Sequence, residues 1–205
     1  MIQEPDEEAR AQQREVQRML GWCLLRLQQY ERQIKAIMAD HEISAPVQAV
    51  ETARVKRAEG VARKTLGTLV GELVGSFLVG GEPEVVPDAP DDLSDHRATV
   101  SIRFTLGLSP EDYAQTETEL RELVQLRNTL VHHFIDQHDL SSVEGCRRAQ
   151  EALEADYRRI DKHYQRLRSW AKDMDIAWRH VTEYARSDEF RDCVISGAVP
   201  AGPED

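Results

Sequence analysis

Long apolar runs are missing from this sequence. No stretch approaches the roughly 18 consecutive apolar residues that a membrane-spanning helix needs, so nothing in it reads as a transmembrane segment. A secretory leader is missing too, because MIQEPDEEAR is acidic and carries no apolar h-region. Cysteine is scarce. Cys23, Cys146 and Cys193 are odd in number and lack metal-site spacing, which fits reduced thiols in a cytoplasmic protein. There is no glycine-rich phosphate loop, since Gly80-Gly81 runs into Glu82 and Pro83, and no Gly-x-Ser-x-Gly elbow. Positive charge is in deficit as well: 26 Lys and Arg face 37 Asp and Glu, for a net charge of −11. That balance argues against broad nucleic-acid binding by counterion release but leaves room for a local basic site.

What is present is a charged, helical composition. Of 205 residues, 40% are hydrophobic and 31% charged, enough to bury one core and too apolar for a disordered chain. Leu20, Cys23, Leu27, Tyr30, Ile34 and Ile37 recur at helical spacing over a long first helix, about 7–40. Ser44 and Pro46 read as the N-cap and first turn of a second helix running through Leu66, Leu73 and Phe77. Prolines, glycines and acidic residues break the pattern after Gly80. Next, Ala98, Val100, Ile102, Phe104 and Leu106 alternate with polar residues, the period of a half-buried strand. Its expected partner is Glu84–Val86 or the same strand of a second copy. Ser109-Pro110 opens a third helix, to about Gln137. Ser141 with Glu144 forms a capping box for a fourth, which carries Cys146 to Trp170, and a shorter fifth is expected near 174–187. Trp22, Trp170 and Trp178 stand at helical positions suited to a core or an interface. The expected architecture is a mostly α bundle of four to five helices in one domain, residues 1–197. A small β insertion, residues 82–107, lies between helices two and three, and 198–205 form a disordered tail.

The third helix holds an anomaly in LVQLRNTLVHHF. Stepping 100° per residue, Leu120, Leu123, Val124, Val131 and Phe134 form an apolar stripe with Leu130 at its edge, and Arg127 falls inside it. Burying an unpaired guanidinium costs several kcal/mol, so Arg127 must meet an anion, a carboxylate or a solvent-filled cleft. Asn128 lies on the flank, and His132 follows four residues later, within reach of it. His133 points away. A permanently charged planar donor suits phosphate, and an imidazole moves protons near neutral pH. Together they are sufficient for attack of a ribose 2′-hydroxyl on its own 3′-phosphate without a metal. Arg54, Arg57, Arg147 and Arg148, on helices two and four, are the basic residues expected to guide such a substrate. A metal site built from His132, His133, Asp136, His138 and Asp139 is the weaker reading, because no HExxH or CxxC pattern supports it.

Arg127-Asn128-x3-His132 resembles the signature of the HEPN superfamily, an R-x4–6-H motif in which a polar residue often follows the arginine. The likeness spans roughly residues 47–178, with its specificity concentrated in the motif. It implies a HEPN-like helical bundle that pairs as a homodimer, so that two motifs face one cleft. It also implies a metal-independent, cofactor-free endoribonuclease that binds RNA and serves as a toxin or anti-phage defence effector. An antitoxin or other defence-system protein would be its partner. On that reading Arg127 binds the scissile phosphate, His132 is the general acid/base and Asn128 orients them. In the same family the alternative is a non-catalytic interaction or nucleotide-sensing module.

Overall fold

The computed structural model describes residues 7–81 and 99–196 and is mostly helical. The chain opens with α1 (Glu7–Asp40) and passes through β1 (Glu42–Pro46), a 3₁₀ turn, α2 (Val50–Ala62) and α3 (Leu66–Glu72). A π-turn (Leu73–Phe77) leads into β2 (Leu78–Gly80), and β3 (Thr99–Arg103) and β4 (Leu106–Leu108) follow. Then come α4 (Pro110–Asn128), a second π-turn (Thr129–His133), α5 (Phe134–Gln137), α6 (Val143–Ala185) and α7 (Asp188–Ser196). The expected fold class, a mostly α bundle with a small β element, is the one observed.

The frame is α1 against α6. The inward positions of α1 are Val16, Cys23, Leu27, Tyr30, Ile34 and Ile37. They meet Cys146, Ala149, Leu153, Ile160 and Leu167 on α6, and all of these are buried. Their three- and four-residue spacing is the stripe that packing one helix on another requires. The two helices run parallel. The Cys23 thiol donates to the Leu153 carbonyl at 3.5 Å, Arg26 donates to the Tyr157 hydroxyl at 2.9 Å, and the Trp178 indole donates to the Asp40 carbonyl at 3.1 Å. Burial pushes the Cys23 thiol up to about 12, and Cys146 is a buried free thiol as well. The reading of these two cysteines as reduced and buried therefore holds, while the Cys193 side chain lies outside the described residues. Across the bundle α4 runs antiparallel to α6, with Glu122 paired to Arg159 and Glu119 to Arg166.

Several sequence expectations are corrected. Ser44 and Pro46 do not open a helix: they lie in β1, whose Ile43 and Ala45 point into the core while Ser44 faces out. β1 is the antiparallel partner of β3, with Ile43 opposite Ile102 and Ala45 opposite Val100. Among the described residues the partner of that strand is therefore β1, which the sequence reading did not name, and Glu84–Val86 lies outside the described residues. The strand itself ends at Arg103, and the chain turns through Phe104 so that Leu106–Leu108 pairs in parallel with β2. The second helix is broken at residues 63–65, where Thr65 caps α3 by accepting from the Thr68 amide. The fourth and fifth expected helices are one continuous α6; no glycine or proline interrupts Lys172–Ala185 to stop it.

The starts of α4 and α6 follow local chemistry. Ser109 caps α4 by accepting from the Asp112 amide at 3.1 Å, with Pro110 in the first turn. At α6 the cap is Ser142, one residue later than expected, accepting from the Gly145 amide at 3.1 Å. Ser141 instead donates its hydroxyl to Asp139. Gly145 is required there, because a Cβ would stand 1.9 Å from the Asp139 carbonyl oxygen. The acidic segment after Gly81, residues 82–98, and the tail, residues 198–205, lie outside the described residues.

Two buried histidines were not singled out in the sequence. His41 is 1% exposed at the end of α1, and His163 is 4% exposed on the apolar face of α6, between Ile160 and Leu167. Burial, and then Arg166 with its guanidinium 3.2 Å from Nδ1, push the His163 ring down to about 4. Burial and Arg57 lower His41 in the same direction. A ring whose folded value is depressed stabilises the fold above its unfolded value, near 6.5, and that stability is lost as the pH falls towards the folded value. For His163 the loss is on the order of 3 kcal/mol between pH 7 and 4. Thermal melts across that range are expected to show a steeper fall in Tm for the wild type than for His163→Gln.

Candidate active site

The helix carrying the motif is not α-helical throughout. At Thr129–His133 it widens into a π-turn before α5 resumes at Phe134. In an unbroken α-helix residues 127 and 132 would lie about 140° apart around the axis. The extra residue accommodated by the π-turn closes that gap. Nη1 of Arg127 lies 3.4 Å from Nε2 of His132 and donates to Oδ1 of Asn128 at 3.2 Å. The three residues expected to act together are thus brought together, but with Arg127 at the centre. Asn128 reaches the guanidinium rather than the His132 ring.

The same turn revises the apolar stripe. Leu120, Leu123, Leu126, Leu130 and Phe134 are buried, whereas Val124 and Arg127 are half-buried and Val131 is 44% exposed. Arg127 therefore flanks the core rather than standing in its middle, and Leu130 is an inward position rather than an edge. No carboxylate pairs with Arg127 among the described residues, unlike Arg159 on Glu122 or Arg166 on Glu119. Its half-exposure lets water carry the charge that a closed core would not. A guanidinium can only donate, so its contact with His132 is made by a neutral ring whose proton sits on Nδ1. The arrangement offers a planar cation with no paired carboxylate among the described residues, beside an exposed imidazole whose Nε2 faces it. Those groups can bind an oxyanion and accept a proton from an adjacent hydroxyl.

The neighbouring polar residues are spent elsewhere. His133 is exposed, 3.9 Å from Asp136, and His138 packs its ring on Phe134 at 4.6 Å. Asp139 holds the hydroxyls of Ser141 and Ser142. Among the described residues no group of three His, Cys, Asp or Glu side chains is placed to hold a metal ion.

The four guiding arginines divide into two places. Arg147 and Arg148 sit in the first turns of α6, just past the loop that ends the motif helix, where Arg147 faces Glu144 at 3.6 Å and Arg148 acts on Asp139. Arg54 and Arg57 belong to the other end of α1. Arg54 is 3.4 Å from Asp40, and Arg57 donates to the Met38 carbonyl at 3.1 Å and contacts His41. Leu140, next to the motif, instead accepts from Gln13 at the start of α1. The 25 residues from Gln13 to Met38 span about 38 Å of helix, so Arg54 and Arg57 are not gathered with Arg127.

Compared with protein-family models, with curated proteins and with solved structures, the chain matches none.

Because Arg127 and His132 stand at the surface of the core, truncating them should cost little stability. Chemical denaturation of Arg127→Ala and His132→Ala is expected to show changes within about 0.5 kcal/mol, against about 3–5 kcal/mol for Phe134→Ala.

Proposed function

We propose that the chain is a metal-independent endoribonuclease of the HEPN type, a toxin or anti-phage defence effector that works in the cytoplasm as a homodimer. The observation that carries this reading is Arg127, free of any carboxylate among the described residues, in contact with both Asn128 and His132. In the proposed reaction Arg127 holds the scissile phosphate. Nε2 of one His132, released as Arg127 turns to the phosphate, takes the proton of the ribose 2′-hydroxyl as its oxygen attacks phosphorus. The His132 of the second copy, protonated, gives a proton to the departing 5′-oxygen. The P–O5′ bond breaks as the P–O2′ bond forms, leaving a 2′,3′-cyclic phosphate and a 5′-hydroxyl.

Pairing is supported by the apolar residues beside His132. Val131 is 44% exposed and Ile135 is 78% exposed, on a helix whose other apolar residues are covered. A second copy laid across them would bury both and bring two Arg127/His132 sets to one cleft. Two facing guanidinium groups repel unless an anion lies between them, which suits a phosphate site. RNA would approach past Arg147 and Arg148, and an antitoxin or another defence-system protein would hold the activity in check. No helix among the described residues is long and apolar enough to cross a membrane.

A second reading, a non-catalytic interaction or nucleotide-sensing module, is favoured by charge alone. The net charge is −11, and Arg54 and Arg147 already face carboxylates. The two readings part on one experiment. Incubated with an RNA pool in EDTA, the wild type is expected to cut, and Arg127→Ala or His132→Ala to lose about 100-fold or more of the rate. Intact RNA with the wild type, or equal cutting by both variants, would leave the module reading.

A further inference from the structure

A second polar cluster lies away from the Arg127 site and has no part in the proposed reaction. A pocket of about 300 Å³ opens between the C-terminal turn of α1, α2 and the α3 segment. His41, Arg57, Gly60, Lys64, Glu72 and Ser76 line it. We propose that this pocket binds the phosphate group of a small metabolite.

The cluster is built from the inside out. Arg57 is fixed at its root, with Nε donating to the Met38 carbonyl at 3.1 Å and Nη2 3.2 Å from Nδ1 of His41. Nδ1 lies at the same 3.2 Å from the Met38 carbonyl oxygen, so the guanidinium and that carbonyl meet on one side of the ring. Nε2 faces the Ser76 oxygen at 3.2 Å, and the Ser76 hydroxyl donates to the Glu72 carbonyl at 2.8 Å. The Met38 carbonyl and the fully buried His41 ring together hold Arg57 in one pose. The outer amino group, Nη1, is left without a partner among the described residues. The nearest carboxylate oxygen, on Glu42, stands 3.6 Å from Nη2, beyond hydrogen-bond range.

Lys64 lies just past the end of α2, in the break before α3, seven residues after Arg57. Its ammonium rests on both oxygens of Glu72, at 2.6 and 2.8 Å. Of the groups lining the pocket, Arg57, Lys64 and Glu72 sum to one positive charge, which the ion pair of Arg57 with Glu42 at 3.6 Å offsets in part from outside it. An incoming phosphate would take the outer face of Arg57 and draw Lys64 from Glu72, giving the planar fork and point charge that phosphate favours. The volume is in the range of small-metabolite pockets.

The backbone singles out the same place. Ser76 sits in the π-turn Leu73–Phe77, where the Leu78 amide bonds back to the Leu73 carbonyl, five residues earlier. Such turns occupy well under 1% of residues in proteins and occur often at functional sites. This chain has two. One delivers His132 to Arg127 and the other delivers Ser76 to His41. The pocket shares no lining residue with the Arg127 cluster, so the two proposals stand or fall separately.

Calorimetric titration of the full chain with inorganic phosphate, at constant ionic strength, tests the proposal. Saturable binding is expected, weakened about tenfold or more in Lys64→Gln, tightened in Glu72→Gln and unchanged in Lys56→Gln, which removes an equal charge from an exposed position outside the pocket. The Lys64 side chain bonds only Glu72 among the described residues, so its variant keeps the contacts of His41. Absence of saturable binding by the wild type would overturn the assignment. So would equal weakening in Lys56→Gln and Lys64→Gln, or saturation by acetate in place of phosphate.

Discussion

The structure hangs on the parallel packing of α1 on α6, two helices of 34 and 43 residues. Their shared face is nearly all aliphatic: Val16, Leu27 and Ile34 on one side, Leu153, Ile160 and Leu167 on the other, with small Ala149 and Cys146 letting the axes approach. A parallel pair cannot be joined by a short turn, so everything between residues 41 and 142 is the return path. That path carries both sheets, the intervening helices and both polar sites. Burial on this frame is also the reason the fold is expected to lose stability in acid. His163 belongs to the shared face, where a protonated ring would have neither water nor a free carboxylate, with Arg166 already beside it.

Against that rigid frame, the two π-turns are the local departures, and each serves a polar contact. An α-helix can bring residues three or four apart together but turns a fifth neighbour away. The Arg127–His132 spacing is five, so their meeting depends on the widened turn. The widened turn is held by anchors before, within and after it, Leu126, Leu130 and Phe134, all buried. The first π-turn is anchored in the same way by Leu73, Val74 and Phe77, while Ser76 faces His41. In both places buried apolar anchors stay seated and the polar residue is rotated to its partner.

Features whose cause is local could be read from the residues. Ser109-Pro110 marks a helix start because cap and first turn are adjacent in the chain. The Val100/Ile102 alternation marks a strand because the side-chain period is intrinsic to it. The grouping of Arg127, Asn128 and His132 was legible from their spacing and from the resemblance it carries. Other features depended on tertiary partners. Ser44-Ala45-Pro46 reads equally well as a helix start or an edge strand, and only its pairing with Thr99–Ser101 decides. Projection on a uniform helix put Val131 inward and Leu130 at the edge, and the π-turn reverses both. His163 carried a usable signal, three residues after Ile160 and four before Leu167. His41 carried none, because Arg57 and Ser76 come to it from 16 and 35 residues away.

The central claim is that a π-turn at Thr129–His133 brings Arg127 and His132 to one face. Scalar couplings across backbone hydrogen bonds in isotope-labelled protein report which carbonyl each amide uses. They are expected to show partners five residues back within this turn, with the His132 ring signals shifting in Arg127→Lys. An unbroken series of partners four residues back through Phe134, with a His132 ring indifferent to Arg127, would contradict it.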